Sequence, residues 1–538
     1  VIALPMKERG SSADYVLEFP KPVNAQTAKL VFKDLHVYVG VDISVSADGK
    51  IYRKIVSEKI ASFADSSAPH YFSLKDAGDF KFCKVSFRNV GFPDWFSPRD
   101  MHLKSIEFLA DPMIFEAPRK VSMGKAFTYW VPNGNEAAGA DKSKVLVLTD
   151  KFKNGVLSAG LPAGDWKILR IGYTSTGAKN QPTTCFGLEC DKLSKRGLDA
   201  HWPHYMAKMI EDCGGMLKNA TIDSYEVSGQ NWTENFAEEF RARRGYDIVP
   251  WLPVMVGCPV GTPEECAKFS FDVQTTVAEL FAENYFDYFG ELCRKNGLIS
   301  IAESYGGPFD YLRGIRHIEF PATEFWVSPR APSRAVLSMA NVYGKSRAGA
   351  ESFTTMFNEG RWQNDPRDLK FYGDRAWSRG VSEFIMHSYV HQPFNAGPGL
   401  GLGRHGSHLN RLNTWWKMGG EWVKYIGRSQ VLLQRGVLAG DVLVMPPLNS
   451  PNSMFYGDAV SGKLFSAGYS AAICSPFDLG EILFVENGRV KADKNGASFG
   501  MLAIPDSKYM SVKKLRALRR LVADGATVAA AKPRETPT

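Results

Sequence analysis

The 538-residue chain is too long for one ordinary hydrophobic core, so two to four domains are expected. Its apolar and charged fractions, 44% and 23%, are those of an ordinary soluble globular protein. A net charge of +8 without a dense Lys/Arg tract argues against a nucleic-acid partner, and no run of about 18 apolar residues is present to span a membrane.

Residues 1–5 read as the inside of a domain, with no basic and apolar leader before them, so a fragment of a longer protein is expected. The eight cysteines contain no CxxC pair; Cys185 and Cys190 are close, but no His-rich partner completes a zinc pattern, and buried free thiols are the simpler reading.

Taken in chain order, residues 1–115 read as β. Segments 28–32, 35–39 and 81–87 are short apolar or alternating runs between Gly, Pro and Asp-Gly punctuation, which predicts a β-sandwich. Residues 116–165 add a β-rich connection. From 166 to 439 short apolar strands alternate with helical stretches, the pattern of a (β/α)₈-type barrel. Its strand candidates are 167–173, 220–225, 299–303, 322–325, 348–353 and 384–389, and a helix is expected over 269–296. Residues 440–538 read as a doubly wound α/β domain, flavodoxin-like and incomplete. Its strands are expected at 441–445, 501–505 and 526–531, with a helix from Ser511 to Gly525 that buries Val512, Leu515, Leu518 and Leu521.

Twelve Trp, 20 Tyr and 34 Phe suit both cores and sugar-stacking surfaces, so their placement beside carboxylates matters more than their number. The densest such place is Asp223-Ser224-Tyr225-Glu226, followed by Gln230-Asn231-Trp232-Thr233. A strand ends there in an acid and an aromatic-polar loop follows. A glycosidase needs one carboxylic acid to protonate the leaving oxygen, and Trp232 is placed by sequence to desolvate Glu226 and stack on a sugar. The plainer alternative pairs Glu226 with Arg241, Arg243 or Arg244.

Glu303, Glu324 and Glu351 also sit at strand ends, where barrel enzymes keep their chemistry. Glu226 and Glu351 are 351 − 226 = 125 positions apart, near four βα pitches of roughly 31 residues, which would set them across the barrel mouth from each other. Glu324 and Glu351 are 351 − 324 = 27 apart, near one pitch, and should be neighbours. Neighbouring carboxylates repel unless a cation or proton lies between them, and oxygen-only ligation suits Ca²⁺.

His387 and His391, on an extended segment leaving a strand, are candidates for binding sugar hydroxyls or for a structural role. Gly401-Leu402-Gly403-Arg404-His405-Gly406 matches GxGxxG, but no strand leads directly into it, and a nucleotide site is not expected.

Together, several motifs resemble glycoside hydrolase family 106, the α-L-rhamnosidases. They are Gly187-Leu188-Glu189-Cys190-Asp191-Lys192-Leu193-Ser194, the Asp223-to-Thr233 segment, Arg244-Gly245-Tyr246-Asp247 with Leu252-Pro253, Ala350-Glu351-Ser352, His387 to Pro393, and Asn410-Arg411-Leu412-Asn413-Thr414-Trp415-Trp416. The resemblance runs from about residue 161 to residue 441.

It implies an inverting exo-hydrolase with Glu226 as acid, Glu351 as base and a bound Ca²⁺ with Glu324 as a ligand. Asp223, Asn231, Trp232, Glu303, His387 and His391 would bind substrate. The partner would be an oligosaccharide or polysaccharide such as a plant cell-wall pectic glycan, met in a secreted or periplasmic setting. Two alternatives stand beside it: a retaining barrel glycosidase of the β-galactosidase kind, and a non-catalytic glycan-binding protein.

Overall fold

Alternation of apolar and polar residues sets up the first sheets in the computed structural model. In β7 (Phe80–Arg88), Cys83, Val85 and Phe87 are buried while the residues between them are partly open, as a period of two requires of a strand with one wet face. All residues are described except 9, 35–36, 63–68, 92–98, 124–138, 180–186, 228, 329–331, 356–359, 361, 403–404, 447–453, 506–508 and 538. Cys185 and part of the 35–39 and GxGxxG segments therefore lie outside the described residues.

The chain divides into two compact units. One comprises Val1–Leu193 and Val227–Val277, the other Ser194–Glu226 and Ala278–Pro537.

The first unit opens with eight strands: β1 (Ile2–Leu4), β2 (Ser12–Val23), β3 (Thr27–Phe32), β4 (Val37–Ser46), β5 (Arg53–Ser62), β6 (His70–Ser73), β7 and β8 (Met101–Leu109). They form two antiparallel sheets in the orders β1-β8-β3-β6 and β2-β7-β4-β5. The inner faces share one core, with Leu30 and Phe32 from one sheet and Val41, Val85 and Phe87 from the other. Phe32 and Phe87 meet edge to face at 6.3 Å. Each such buried side chain contributes roughly 1.5–3 kcal/mol.

Beyond β8 the unit holds less strand than the sequence suggests. The described residues of 116–165 hold the hairpin of β9 (Phe152–Lys153) and β10 (Val156–Leu157) and one isolated bridge, from Ala140 to Val260. The predicted strand at 167–173 is irregular: Ile168 and Tyr173 are more than 60% exposed, and an apolar run with neither a partner strand nor a buried face does not make a strand.

The helix predicted over 269–296 begins earlier, at Pro263. Thr262 and Glu265 cap it reciprocally: the Glu265 N–H donates to the Thr262 hydroxyl (3.2 Å) and the Thr262 N–H to the Glu265 carboxylate (2.8 Å). Pro263 at the first helical position needs no N–H partner. The helix runs to Phe281, continues as a π-turn over Ala282–Asp287, and ends in Tyr288–Lys295.

The second unit contains the parallel sheet. Its strands are β11 (Asn219–Ile222), β12 (Ile299–Ala302), β13 (Phe320–Trp326), β14 (Gly349–Thr354) and β15 (Glu383–Met386), paired in that order. Among the described residues this sheet has five parallel strands, half-barrel in extent, where the sequence suggested eight.

A second sheet in the same unit contains β16 (Ala439–Val444), β17 (Ala471–Ile473), β18 (Phe484–Glu486), β19 (Arg489–Lys491), β20 (Ser498–Ile504) and β21 (Val528–Ala530). β16 pairs in parallel with β17 and β20, and β20 with β21; β18 and β19 are antiparallel additions. The helix Val512–Ala523 buries Leu518 and Leu521, but Val512 and Leu515 are 55% and 46% exposed, so half of its predicted apolar face is bare. Buried Arg316, between β12 and β13, pairs with Asp478, which also accepts from the Tyr343 hydroxyl. This network joins loops from both sheets. Among the described residues no helix is long and apolar enough to cross a membrane.

Candidate active site

Parallel strands present their C-terminal ends along one edge, and each of the five brings a candidate residue there. Asp223 follows β11, Glu303 follows β12, Glu324 and Glu351 lie on β13 and β14, and His387 follows β15. Backbone bonds carry the ladder past the strands: the Glu303 N–H donates to the Ile222 carbonyl and the His387 N–H to the Ser352 carbonyl, both at 3.0 Å. Asp223 and Glu303 thus stand side by side. Glu324 and Glu351 are direct register partners, as their spacing predicted.

The four-pitch separation expected between Glu226 and Glu351 is corrected. β14 lies three steps from β11 in the sheet order, not four. Pitch arithmetic fails because the steps are unequal: 299 − 219 = 80 residues from β11 to β12, then 320 − 299 = 21 and 349 − 320 = 29. The long first step contains Val227–Val277, which belongs to the other unit.

Carboxylate oxygens of Asp223, Glu303 and Glu351 lie within 4.8 Å of one another. Glu303 is only 4% exposed. Burial, and then the charges of Glu351, Asp223 and Glu324, push its carboxyl well above the usual range, against a hydrogen bond from the Tyr305 hydroxyl at 2.9 Å. Burial likewise raises Glu351, with Asp223 and Glu226 adding to the effect and a hydrogen bond from Thr354 opposing it. Carboxylates this close repel one another when ionised, and a bound cation would offset that repulsion. An all-oxygen donor set suits Ca²⁺. Glu324, the expected ligand, lies outside the three-carboxylate group, although its charge reaches Glu303.

Glu226 is exposed, and so is His391, which no hydrogen bond or ion pair links to the acids among the described residues. His387 is nearer the chemistry: its Nδ1 lies 3.3 Å from Glu351 Oε1 and 2.9 Å from the Thr354 hydroxyl. Burial lowers its pKa, which favours the neutral ring.

The sequence profile of glycoside hydrolase family 106, described as α-L-rhamnosidase, matches residues 52–538. The chain belongs to this family. Two individual proteins agree to different degrees. A Formosa agariphila protein provisionally named a β-glucuronidase is 38% identical over 407 residues, 74% of this chain and 34% of that protein. The rhamnosidase from Novosphingobium sp. PP1Y superposes with a TM-score of 0.79 at 24% identity, over 98% of this chain and 51% of that one. This likeness is one of fold. The chain thus spans about a third of the first relative's length and half of the second's.

Within this family 106 chain, two of the motifs bind each other. Gln230 accepts from the Lys192 N–H (3.0 Å) and donates to the Cys190 carbonyl (2.9 Å), while the Thr233 hydroxyl donates to Asp191 at 2.5 Å. These residues belong to the first unit, as do Asn231 and Trp232. Asn231 donates to the Val121 carbonyl at 3.0 Å, and Trp232 packs 4.9 Å from Phe236 and 6.1 Å from Tyr173. The arginines proposed as partners of Glu226 are engaged elsewhere: Arg241 with Asp247, Arg243 with Glu239, Arg244 with Thr276.

Sequence reading missed Tyr305 and Thr354. Tyr305 lies two residues after Glu303, beyond the strand. Thr354 lies three residues after Glu351, a spacing that normally turns a strand side chain to the other face.

Proposed function

We propose that this chain carries an inverting, exo-acting α-L-rhamnosidase site that releases terminal rhamnose from plant cell-wall pectic glycans or other rhamnosides. Family membership supports the sugar. The observation that carries the chemistry is the gathering of Asp223, Glu303, Glu324 and Glu351 along one edge of a parallel sheet, with His387 beside them.

In this reading Glu226, exposed just past β11, gives its proton to the glycosidic oxygen as the bond to the anomeric carbon breaks. Glu351 takes a proton from the water that attacks the opposite face. Its burial suits a base, since desolvation raises its proton affinity. Glu226 stands outside the three-carboxylate group, yet its charge is felt at Glu351, which suits a pair with room for water between. Asp223 and Glu303 would hold a calcium ion, which when bound would offset their repulsion and orient sugar hydroxyls.

A second reading has its own observation. Glu303 and Glu351 approach within 4.8 Å, near the roughly 5–5.5 Å of a retaining pair, and burial raises the Glu303 carboxyl, the direction an acid needs. Hydrolysis of an aryl α-L-rhamnoside followed by NMR separates the two. We expect β-L-rhamnose to appear first. First appearance of α-L-rhamnose establishes the retaining pair instead. Preferential hydrolysis of an aryl β-glucuronide, the activity in the name of the Formosa relative, overturns both.

A further inference from the structure

β14 is bulged beside the acids. Its partner β13 pairs Phe325 with Ser352 and then Trp326 with Thr354, so Phe353 has no counterpart across the ladder. Phe353 takes φ 66°, in the left-handed region. In an unbroken strand residues 351 and 354 would point to opposite faces. The extra residue changes that parity, and a bulge re-aims the side chain that follows it. The Thr354 hydroxyl thereby reaches Glu351 Oε1 at 2.5 Å, with His387 Nδ1 at 2.9 Å on its other side.

The proton count along this chain is fixed by one premise, the proposed role of Glu351 as base. A base must be ionised, so the Glu351 carboxylate can only accept. A threonine hydroxyl has one proton, and Thr354 gives it to Glu351. Toward His387 the hydroxyl can then only accept, as can Glu351 Oε1 at 3.3 Å. Nδ1 must therefore carry the imidazole proton. Nε2 makes no hydrogen bond to another described residue.

We propose that Thr354 is a positioning residue that locks His387 in the Nδ1–H tautomer, leaving Nε2 as a bare acceptor for a donating sugar hydroxyl. The site then distinguishes a hydroxyl from a fluorine at that sugar position, because fluorine cannot donate. A histidine released from the chain takes either tautomer and loses this distinction.

The test labels the whole protein with ¹⁵N-histidine and records long-range ¹⁵N–¹H spectra above the imidazole pKa, with His387 assigned through His387→Gln. The expected wild-type pattern is a protonated Nδ1 and a bare Nε2, kept in Thr354→Ser and mixed in Thr354→Val. A wild-type Nε2–H tautomer overturns the inference, and this spectrum needs no turnover and no Thr354 variant, only a folded His387→Gln for the assignment. Deoxyfluoro aryl rhamnosides supply the second readout. One analogue should lose about tenfold or more in kcat/KM, the scale of one lost hydrogen bond. That loss should shrink in Thr354→Val and persist in Thr354→Ser. Equal losses in both variants overturn the positioning role. If no rhamnoside is hydrolysed, the functional reading fails, while the tautomer spectrum still decides the hydrogen-bond chain.

Discussion

Glu226 and Glu351 are the same residue type in opposite surroundings, one exposed and one half-buried among other acids. If Glu226 is the acid, Glu226→Gln should lose most activity on poor leaving groups and far less on activated aryl rhamnosides, which need little protonation. Equal loss on both, in paired kcat/KM measurements, removes Glu226 from that role. Glu351 can be tested against the metal. As base and not ligand, Glu351→Gln should keep calcium affinity by calorimetry yet turn over at least 100-fold more slowly, on the order of a lost general base. Asp223→Asn and Glu303→Gln should each weaken calcium binding. Calcium affinity lost in Glu351→Gln makes that residue a ligand. The acids and His387 were legible in the sequence because a charged residue ending a short apolar run has few other reasons to be there. Thr354 was not, since period-two reasoning turns it away from Glu351. Asn231 and Trp232 were named for their closeness to Glu226 in sequence; they belong, with the rest of Val227–Val277, to the first unit.

At the scale of elements, the bulge in β14 sets local packing against local strain. Phe353 is fully buried, with its ring 4.9 Å from Phe325, 5.2 Å from Phe384 and 5.4 Å from Trp422. Its packing, worth roughly 3–5 kcal/mol on truncation, outweighs a left-handed backbone that costs about 1–2 kcal/mol. Both Phe353→Ala and Phe353→Gly should therefore destabilise the protein. Their order should be the reverse of strand preference: Gly tolerates φ 66° and Ala does not, so Phe353→Gly should unfold at higher denaturant, by about 1 kcal/mol. Ala above Gly would mean that the bulge relaxes. Strands β11 to β15 were legible to within a few residues because their apolar runs are short and sharply ended. The segment 167–173 has the same look but no partner, and pairing is not written in a single segment. The helix start was misjudged because its signal is Thr262, Pro263 and Glu265, a polar cap that hydrophobic periodicity does not weigh.

At the scale of the molecule, each unit has its own buried charges, and acid should report on them. In the first unit, burial alone would raise Glu116, but hydrogen bonds and charges from His70 and Arg119 overcome it and hold the carboxyl at about 2. A carboxyl depressed on folding stabilises above its unfolded value near 4.5 and loses that contribution as pH falls toward 2. The contribution is roughly 3 kcal/mol by linkage. Calorimetry from pH 6 to pH 2 should show the transition of this unit falling steeply below about 4.5, and Glu116→Gln should flatten that slope. An unchanged slope assigns acid sensitivity to other groups.

The division of the chain between units also sets a timetable for synthesis. The ribosome makes β11, with Asp223 and Glu226 just past it, then Val227–Val277 for the other unit, and only afterwards β12 and Glu303. A nascent chain emerges at about 5–20 residues per second and its early parts fold first. The eight opening strands can pair while translation continues, but β11 leaves the ribosome without its neighbour and waits for β12, 80 residues later. For that interval it is a strand with two unpaired edges, the form in which a strand is captured by other chains. Folding yield in this protein should therefore depend on how the cell handles that one unaccompanied segment.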